Sequence, residues 1–317
     1  MREQLALGID TSCYTTSVAL AGAEGIAFHR RKLLEVEGGA RGLRQSDALF
    51  QHVNRLPELL EELLSEAEGA SVAAVCASAK PRDVEGSYMP VFLAGLSFAR
   101  SIAAALRVPV FETSHQQGHV RAAMVGSGLP DGGFLAAHLS GGTTEALRVS
   151  PGLAIERLNG SSDLHAGQLV DRVGVKMGLP FPAGPALEAL ARIGEARSAM
   201  PLSHRDGNVS FSGAEAEAMR MLDAGKSKED VAAEVFSYLA RAVAHMVADA
   251  HRRTRLENAL ISGGVASSGL LRELLPARLS RLDCPVSIHW GRPELSGDNA
   301  CGVALIGWEE YCDGKHH

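Results

Sequence analysis

The chain has 317 residues, 46% hydrophobic and 21% charged, with 31 Lys and Arg against 37 Asp and Glu for a formal charge of −6. At about 150 residues per domain this length predicts two domains, each able to bury a core without disulfides or structural metals. The composition excludes a disordered or fibrous chain, and the acidic balance disfavours unaided gripping of nucleic acid.

Apolar runs such as Val91–Leu96 fall far below the ~20 residues of a membrane span. The opening MREQLALGID has no apolar core followed by a cleavage site. A cytoplasmic chain without membrane partners is expected. The cysteines Cys13, Cys76, Cys284, Cys301 and Cys312 are odd in number and form no CxxC pair, which reads as reduced thiols.

Leu5–Ile9 predicts a strand that runs into the polar turn Asp10-Thr11-Ser12, and Thr16–Ala21 predicts its partner. Helical period follows over Asp47–Ala67, with Pro57 expected to kink or restart the helix. Val72–Cys76 and Val108–Phe111 read as strands on either side of a helix at Phe92–Leu106. The breaker cluster Gly126–Gly133 marks a boundary, giving domains at 1–128 and 129–317. Phe134–Leu139, the turn Ser140-Gly141-Gly142-Thr143 and Glu145–Val149 then repeat the opening pattern, and Ala259–Ile261 with Ser262-Gly263-Gly264-Val265 repeats it in part. Helices are predicted at Leu164–Met177, Lys228–Arg252 and Leu270–Leu279. Strands alternating with helices define an α/β protein, and the recurring strand–turn–strand unit predicts two related halves.

In Ser140-Gly141-Gly142-Thr143-Thr144 the missing β-carbons let backbone N–H groups approach an anion. Gly263 and Gly264 precede a helix beginning near Ser268, where backbone amides favour a phosphate. One such turn alone is only a tight turn; together they favour a nucleotide cleft. His115 and His119 stand four apart, so on a helix both share a face, ~6 Å apart along the axis, and reach one cation. A zinc protease would need Glu at position 116, which is Gln, so peptidase chemistry is disfavoured. Asp298 is the best third ligand, although its ordinary role would be a helix N-cap. Two His and a carboxylate suit Fe(II) or Zn(II). Asp163, His165 and Asp171 read as carboxylates and an imidazole on a helix, and Glu188 follows Phe181-Pro182-Ala183-Gly184-Pro185. Arg252, Arg253 and Arg255 read as the basic end of a long helix.

These pieces, in this order, resemble over nearly the whole chain the family once called glycoproteases, the TsaD-like tRNA threonylcarbamoyltransferases. The match is carried by Gly8–Cys13, His115 and His119, Leu139–Thr144, Ala166-Gly167, Asp171, Leu179–Pro185, Phe211-Ser212-Gly213, Ser262–Ala266 and Asp298-Asn299. The resemblance implies an actin-like (ASKHA, sugar-kinase-type) α/β fold of two lobes, with mixed sheets flanked by helices and a nucleotide cleft. The last helix, about 298–311, is expected to pack back toward the first lobe.

His115, His119 and Asp298 look like ligands of one divalent metal. His138, Leu139, Ser140, Gly141, Gly142, Asp171 and Gly184 look like adenylate contacts; Glu188, Gly263, Gly264 and Ser268 join them as candidate binding residues. ATP, AMP or an acyl-adenylate is the implied nucleotide. The implied reaction moves a threonylcarbamoyl group to the exocyclic amine of the tRNA adenosine beside the anticodon. The tRNA would be delivered with partner proteins, with pairing to a homologous subunit through the first lobe. The resemblance assigns no catalytic residue.

Departures accompany the match. Tyr14-Thr15 stand where the family usually has Asp-Glu, Ser268 replaces an Asn, Glu215 a Lys, and Gln117 and Gln168 each a Glu. The metal set is kept while polar contacts change, the profile of a divergent paralogue. Two further readings stay open: a nucleotide-binding scaffold without turnover, and carbamoyl transfer to a non-tRNA acceptor.

Overall fold

The computed structural model describes residues 3–12, 14–35 and 43–314; Cys13 and Lys315-His316-His317 lie outside them. In chain order the strands and helices are β1 (Gln4–Thr11), β2 (Thr15–Gly22), β3 (Gly25–Leu33), α1 (Gln45–Glu66), β4 (Ser71–Lys80), α2 (Phe92–Leu106), β5 (Val110–Ser114), α3 (His115–Met124), β6 (Phe134–Leu139), β7 (Thr144–Ser150), β8 (Ala154–Gly160), α4 (Ala166–Lys176) and α5 (Gly184–Ala191). There follow β9 (His204–Arg205), β10 (Asn208–Val209), α6 (Ser212–Asp223), α7 (Lys228–Thr254), β11 (Asn258–Ser262), α8 (Gly269–Ser280), β12 (Ser287–Trp290) and α9 (Cys301–Gly314). They form two units, 1–125 with 297–317 and 126–296. The chain therefore passes into the second unit at Gly126 and returns to the first at Gly297.

Both units repeat one topology. The first sheet has the order β3-β2-β1-β4-β5 and the second β12-β11-β6-β7-β8. In each, three antiparallel strands continue into two parallel ones. β1 is buried on both faces. Its large residues Leu5, Leu7 and Ile9 join Leu56, Leu59 and Leu63 of α1 and Ala94 and Ala99 of α2 in one core. Its small residues Ala6 and Gly8 face α9, where a methyl on Gly8 would lie 2.7 Å from the Ala304 Cα. Strand alternation thus puts Asp10 on the α9 side, next in line after Ala6 and Gly8.

α1 continues through Pro57 instead of restarting there. The lost hydrogen bond and clash cost about 3 kcal/mol. Burying Leu56, Leu59, Leu60 and Leu63 around it returns about 1.5–3 kcal/mol each, so packing wins.

In the second unit α7 is the central core helix. Its Ser227 cap accepts from the Asp230 N–H at 3.2 Å. Among the described residues it alone is long and apolar enough to cross a membrane, but 89% of its apolar window is buried inside the protein. Cys76, Cys284, Cys301 and Cys312 are free thiols. Burial pushes those of Cys76 and Cys301 up to about 12.

Candidate metal centre and nucleotide site

α3 begins with a complete capping box. Ser114 Oγ accepts from the Gln117 N–H at 3.2 Å, and Gln117 Oε1 accepts from the Ser114 N–H at 3.0 Å. Gln and Glu serve this box alike, so the departure at 117 leaves the start of α3 intact. His115 and His119 then share one helix face. The third group arrives from α9. Asn299 Oδ1, not Asp298, accepts from the Cys301 N–H at 3.0 Å, so the cap expected of Asp298 falls to its neighbour and the aspartate can turn to Ser12 and His119 instead. Gly302 and Gly118 let the two helices meet: a methyl on Gly302 would run into the Gly118 carbonyl and lie 2.8 Å from the Ala122 nitrogen.

His119 Nε2 lies 3.0 Å from His115 Nε2 and 3.2 Å from Asp298 Oδ1, and His115 Nε2 is 3.6 Å from that same oxygen. Metal bonds of about 2.0–2.2 Å hold adjacent donors about 2.9–3.5 Å apart, so this spacing suits one ion. The 3.0 Å between the two imidazole nitrogens is bridged by a shared proton in an N–H···N bond when no metal is bound, and the same two nitrogens can ligate one ion. Burial opposes charge on His115, but the Asp10 and Asp298 carboxylates override it and push its pKa up to about 9. Burial would raise the Asp298 pKa, but the His119 hydrogen bond and the His115 charge hold it well below the usual carboxylate range. The residues fit a divalent metal with nitrogen and oxygen ligands, such as Fe(II) or Zn(II).

Sequence reasoning missed a supporting layer behind these three. Asp10 Oδ1 accepts from His115 Nδ1–H at 2.9 Å and from the Ser78 hydroxyl, which fixes the tautomer and leaves Nε2 for the metal. Ser12 Oγ donates to Asp298 Oδ2 at 2.9 Å. His52, fully buried on α1, donates from Nε2 to the Ser12 carbonyl at 2.7 Å and accepts at Nδ1 from Thr16 Oγ1 at 2.8 Å. A carbonyl can only accept, so Nε2 carries a proton, and burial, which lowers the His52 pKa, favours the neutral ring with Nδ1 accepting from Thr16. The signal available in the sequence was the Asp and Ser closing an apolar strand.

In the second unit Gly141, Asp171, Gly184, Glu188, Gly264 and Ser268 line one cavity of about 490 Å³, with Phe236 and Val265 among its apolar walls. That volume suits a ligand of nucleotide size. A methyl on Gly141, Gly142 or Gly264 would meet nothing within 4 Å, so these backbones face open space. Gly167 and Gly263 have a packing role instead: methyls there would press on the Gly141 and Leu139 backbones, and Gly263 has φ +97°.

Of the remaining candidates, Leu139 has its side chain fully buried in the core, and Ser140 closes its turn on the Thr143 carbonyl at 2.8 Å. His138 Nδ1 lies 3.4 Å from Ser262 Oγ. Asp171 accepts from the Ala183 N–H at 2.8 Å, Glu188 from the Leu270 N–H at 2.8 Å, and Ser268 caps α8 through the Leu271 N–H at 3.1 Å. Asp163 precedes α4 rather than lying on a helix. It accepts from the Phe211 and Leu164 N–H groups at 2.7 and 2.6 Å. Partial burial opposes its charge, but the hydroxyls of Ser210 and Ser212 hold the carboxyl well below its usual range. Glu215 pairs with Arg172 at 3.3 Å, which accounts for its charge in this chain.

Two α/β units of repeated topology, the second with open glycine turns beside a cavity, define an actin-like fold of the sugar-kinase type. The activator of the 2-hydroxyisocaproyl-CoA dehydratase from Clostridium difficile superposes with a TM-score of 0.58 at 15% identity, over 98% of this chain and 97% of that one. A ROK family glucokinase from Streptomyces griseus does so at 0.56 and 14%, over 96% and 99%. The family model for tRNA N6-adenosine threonylcarbamoyltransferase (TsaD) matches residues 39–305. The protein of that name from Aromatoleum aromaticum is 33% identical over 315 residues, 95% of this chain and 90% of that protein. This chain belongs to the tRNA N6-adenosine threonylcarbamoyltransferase family.

Proposed function

We propose that the chain transfers a threonylcarbamoyl group, or a related carbamoyl group, from an acyl-adenylate to the exocyclic amine of the tRNA adenosine beside the anticodon. The observation carrying this is the convergence of His115, His119 and Asp298 in a member of this family, with Asp10 and Ser12 orienting two of them. A divalent metal held there would supply Lewis acidity toward carbonyl or phosphoryl oxygen. In the second unit, the open amides near Gly141 and Gly264 would hold the adenylate phosphate, and Val170, Phe236 and Val265 would exclude water from it.

In the transfer, the amine lone pair forms the new C–N bond. The C–O bond to phosphate breaks with its electrons leaving on AMP, and the amine proton passes to solvent. Orientation of amine against carbonyl is the protein's main contribution. Partner proteins, among them a homologous subunit, would bring the tRNA, in keeping with the chain's charge of −6 and with work in the cytoplasm.

One observation favours a second reading, a nucleotide-binding paralogue without turnover. Tyr14 is half-exposed and Thr15 buried where the family usually carries two carboxylates. The test is mass spectrometry of tRNA nucleosides after incubation with partners, ATP, threonine and bicarbonate. Threonylcarbamoylated adenosine that disappears in His115→Ala and Asp298→Ala supports transfer. Its absence with wild-type protein that still binds nucleotide and metal supports the second reading.

A further inference from the structure

We propose that the face formed by α7 and the last turn of α8 grips the phosphate backbone of the RNA acceptor; this rests on the tRNA reading above. Ser237, Arg241 and His245 follow one another at four-residue spacing and make a single stripe along α7. Arg278 Nη2 donates to Ser237 Oγ at 3.1 Å, which ties the end of α8 to that stripe, and Arg281 follows one turn later. His204 of β9 stacks on His245 with ring centroids 4.6 Å apart, extending the surface.

What sets this face apart is missing counter-charge. Elsewhere in the unit Arg172, Arg192 and Arg220 each pair with a glutamate. Among the described residues, Arg241, Arg278 and Arg281 have no carboxylate within ion-pair distance. Asp249 continues the stripe but is engaged by Asn159, Arg252 and Arg253. Arg241 donates one Nη2 bond to the Met200 carbonyl at 2.5 Å, while its Nε is buried with no partner. Burial and the neighbouring Arg281 and Arg241 charges push the Arg278 pKa down. Burial, His204, Arg252 and Arg241 do the same to His245.

The dipole of α8 favours cations at its C-terminus, which would account for Arg278 and Arg281 alone. It does nothing for Arg241 in the middle of α7. Three adjacent unpaired guanidiniums in an acidic chain repel one another, and a polyanion relieves that. The patch also has a defined distance from the candidate nucleotide cavity. Ser268, the cap of α8, lines the cavity, and Arg278 stands ten residues along the same helix, about 15 Å away. Because the proposed acceptor is itself a polyanion, RNA is the occupant rather than an acidic protein.

The test compares wild type with Arg241→Gln/Arg278→Gln/Arg281→Gln, and with the exposed single variant Arg281→Gln. Binding of a tRNA transcript is read by fluorescence anisotropy across a KCl series, with partners present, beside calorimetry of AMP. The triple variant should bind tRNA at least about tenfold more weakly, with a salt slope shallower by about 2–3, and the single variant should lose about one unit of slope. AMP affinity should not change. Wild-type tRNA affinity and slope in the triple variant, while wild type still modifies tRNA, would overturn the patch and leave the transferase reading standing. If wild type neither binds nor modifies tRNA, both fall together.

Discussion

Replacing Gly302 by Ala probes how the metal centre is assembled. The added methyl would lie 2.8 Å from the Ala122 nitrogen and from the Gly118 carbonyl carbon, and nearer still to that carbonyl's oxygen. Carbon contacts settle near 3.5–4.0 Å, so α9 must retreat from α3 by about 0.7 Å or more. Backbone cannot rotate away as a side chain can. Overpacking of this kind costs about 1–3 kcal/mol, against about 1 kcal/mol gained from alanine's helix propensity. The net is a loss of up to about 2 kcal/mol, toward the upper end because the contact is backbone against backbone.

The same retreat draws Asp298, at the head of α9, away from His115 and His119. Ligand sets tolerate only about 0.5 Å, so metal affinity should fall about 10–100-fold. Gly213→Ala is the control, because that helical glycine has nothing within 4 Å of its added methyl. It should be neutral or slightly stabilising. Thermal unfolding and competitive metal titration report both effects. Wild-type metal affinity and melting temperature in Gly302→Ala would refute this account of the assembly.

Gly264→Ala should fold with wild-type stability, because its one added methyl enters open space, yet weaken AMP binding in calorimetry. Asp10→Asn should lower metal affinity about 10–100-fold in chelator competition, since a neutral amide orients His115 Nδ1–H less strongly than a carboxylate. Burial lowers the His52 pKa below its ordinary 6.5. The unfolded chain therefore binds a proton before the folded one does, and stability declines as pH falls below about 6.5. Denaturant melts of His52→Gln between pH 7.5 and 5.5 should show a shallower decline than wild type.

Much of the fold was legible because its strands are apolar runs closed by polar turns. The pattern of Leu5–Ile9 with Asp10-Thr11-Ser12 recurs at Phe134–Leu139 with Ser140-Gly141-Gly142, and both sheets repeat one topology. β3 was not legible: as an edge strand it alternates only weakly and carries His29, Arg30, Arg31 and Lys32. The His115 and His119 pair follows from helical spacing. Its meeting with Asp298 is a contact between positions 179 residues apart, which no local pattern encodes. Capping preference could not choose between Asp298 and Asn299, because both are good caps; the choice depends on Ser12 and His119 competing for the aspartate. The His52 support was hidden for a similar reason, since its partners Ser12 and Thr16 come from a distant strand end.

The most direct measurement is metal content by elemental analysis after reconstitution, on wild type and on His119→Ala, each with unfolding checked by circular dichroism. One equivalent of a divalent metal is expected in the wild type, with its loss in a variant that remains folded. A wild type that takes up no metal, or a His119→Ala protein that retains it fully, would contradict the assignment of His115, His119 and Asp298 as the centre of the site.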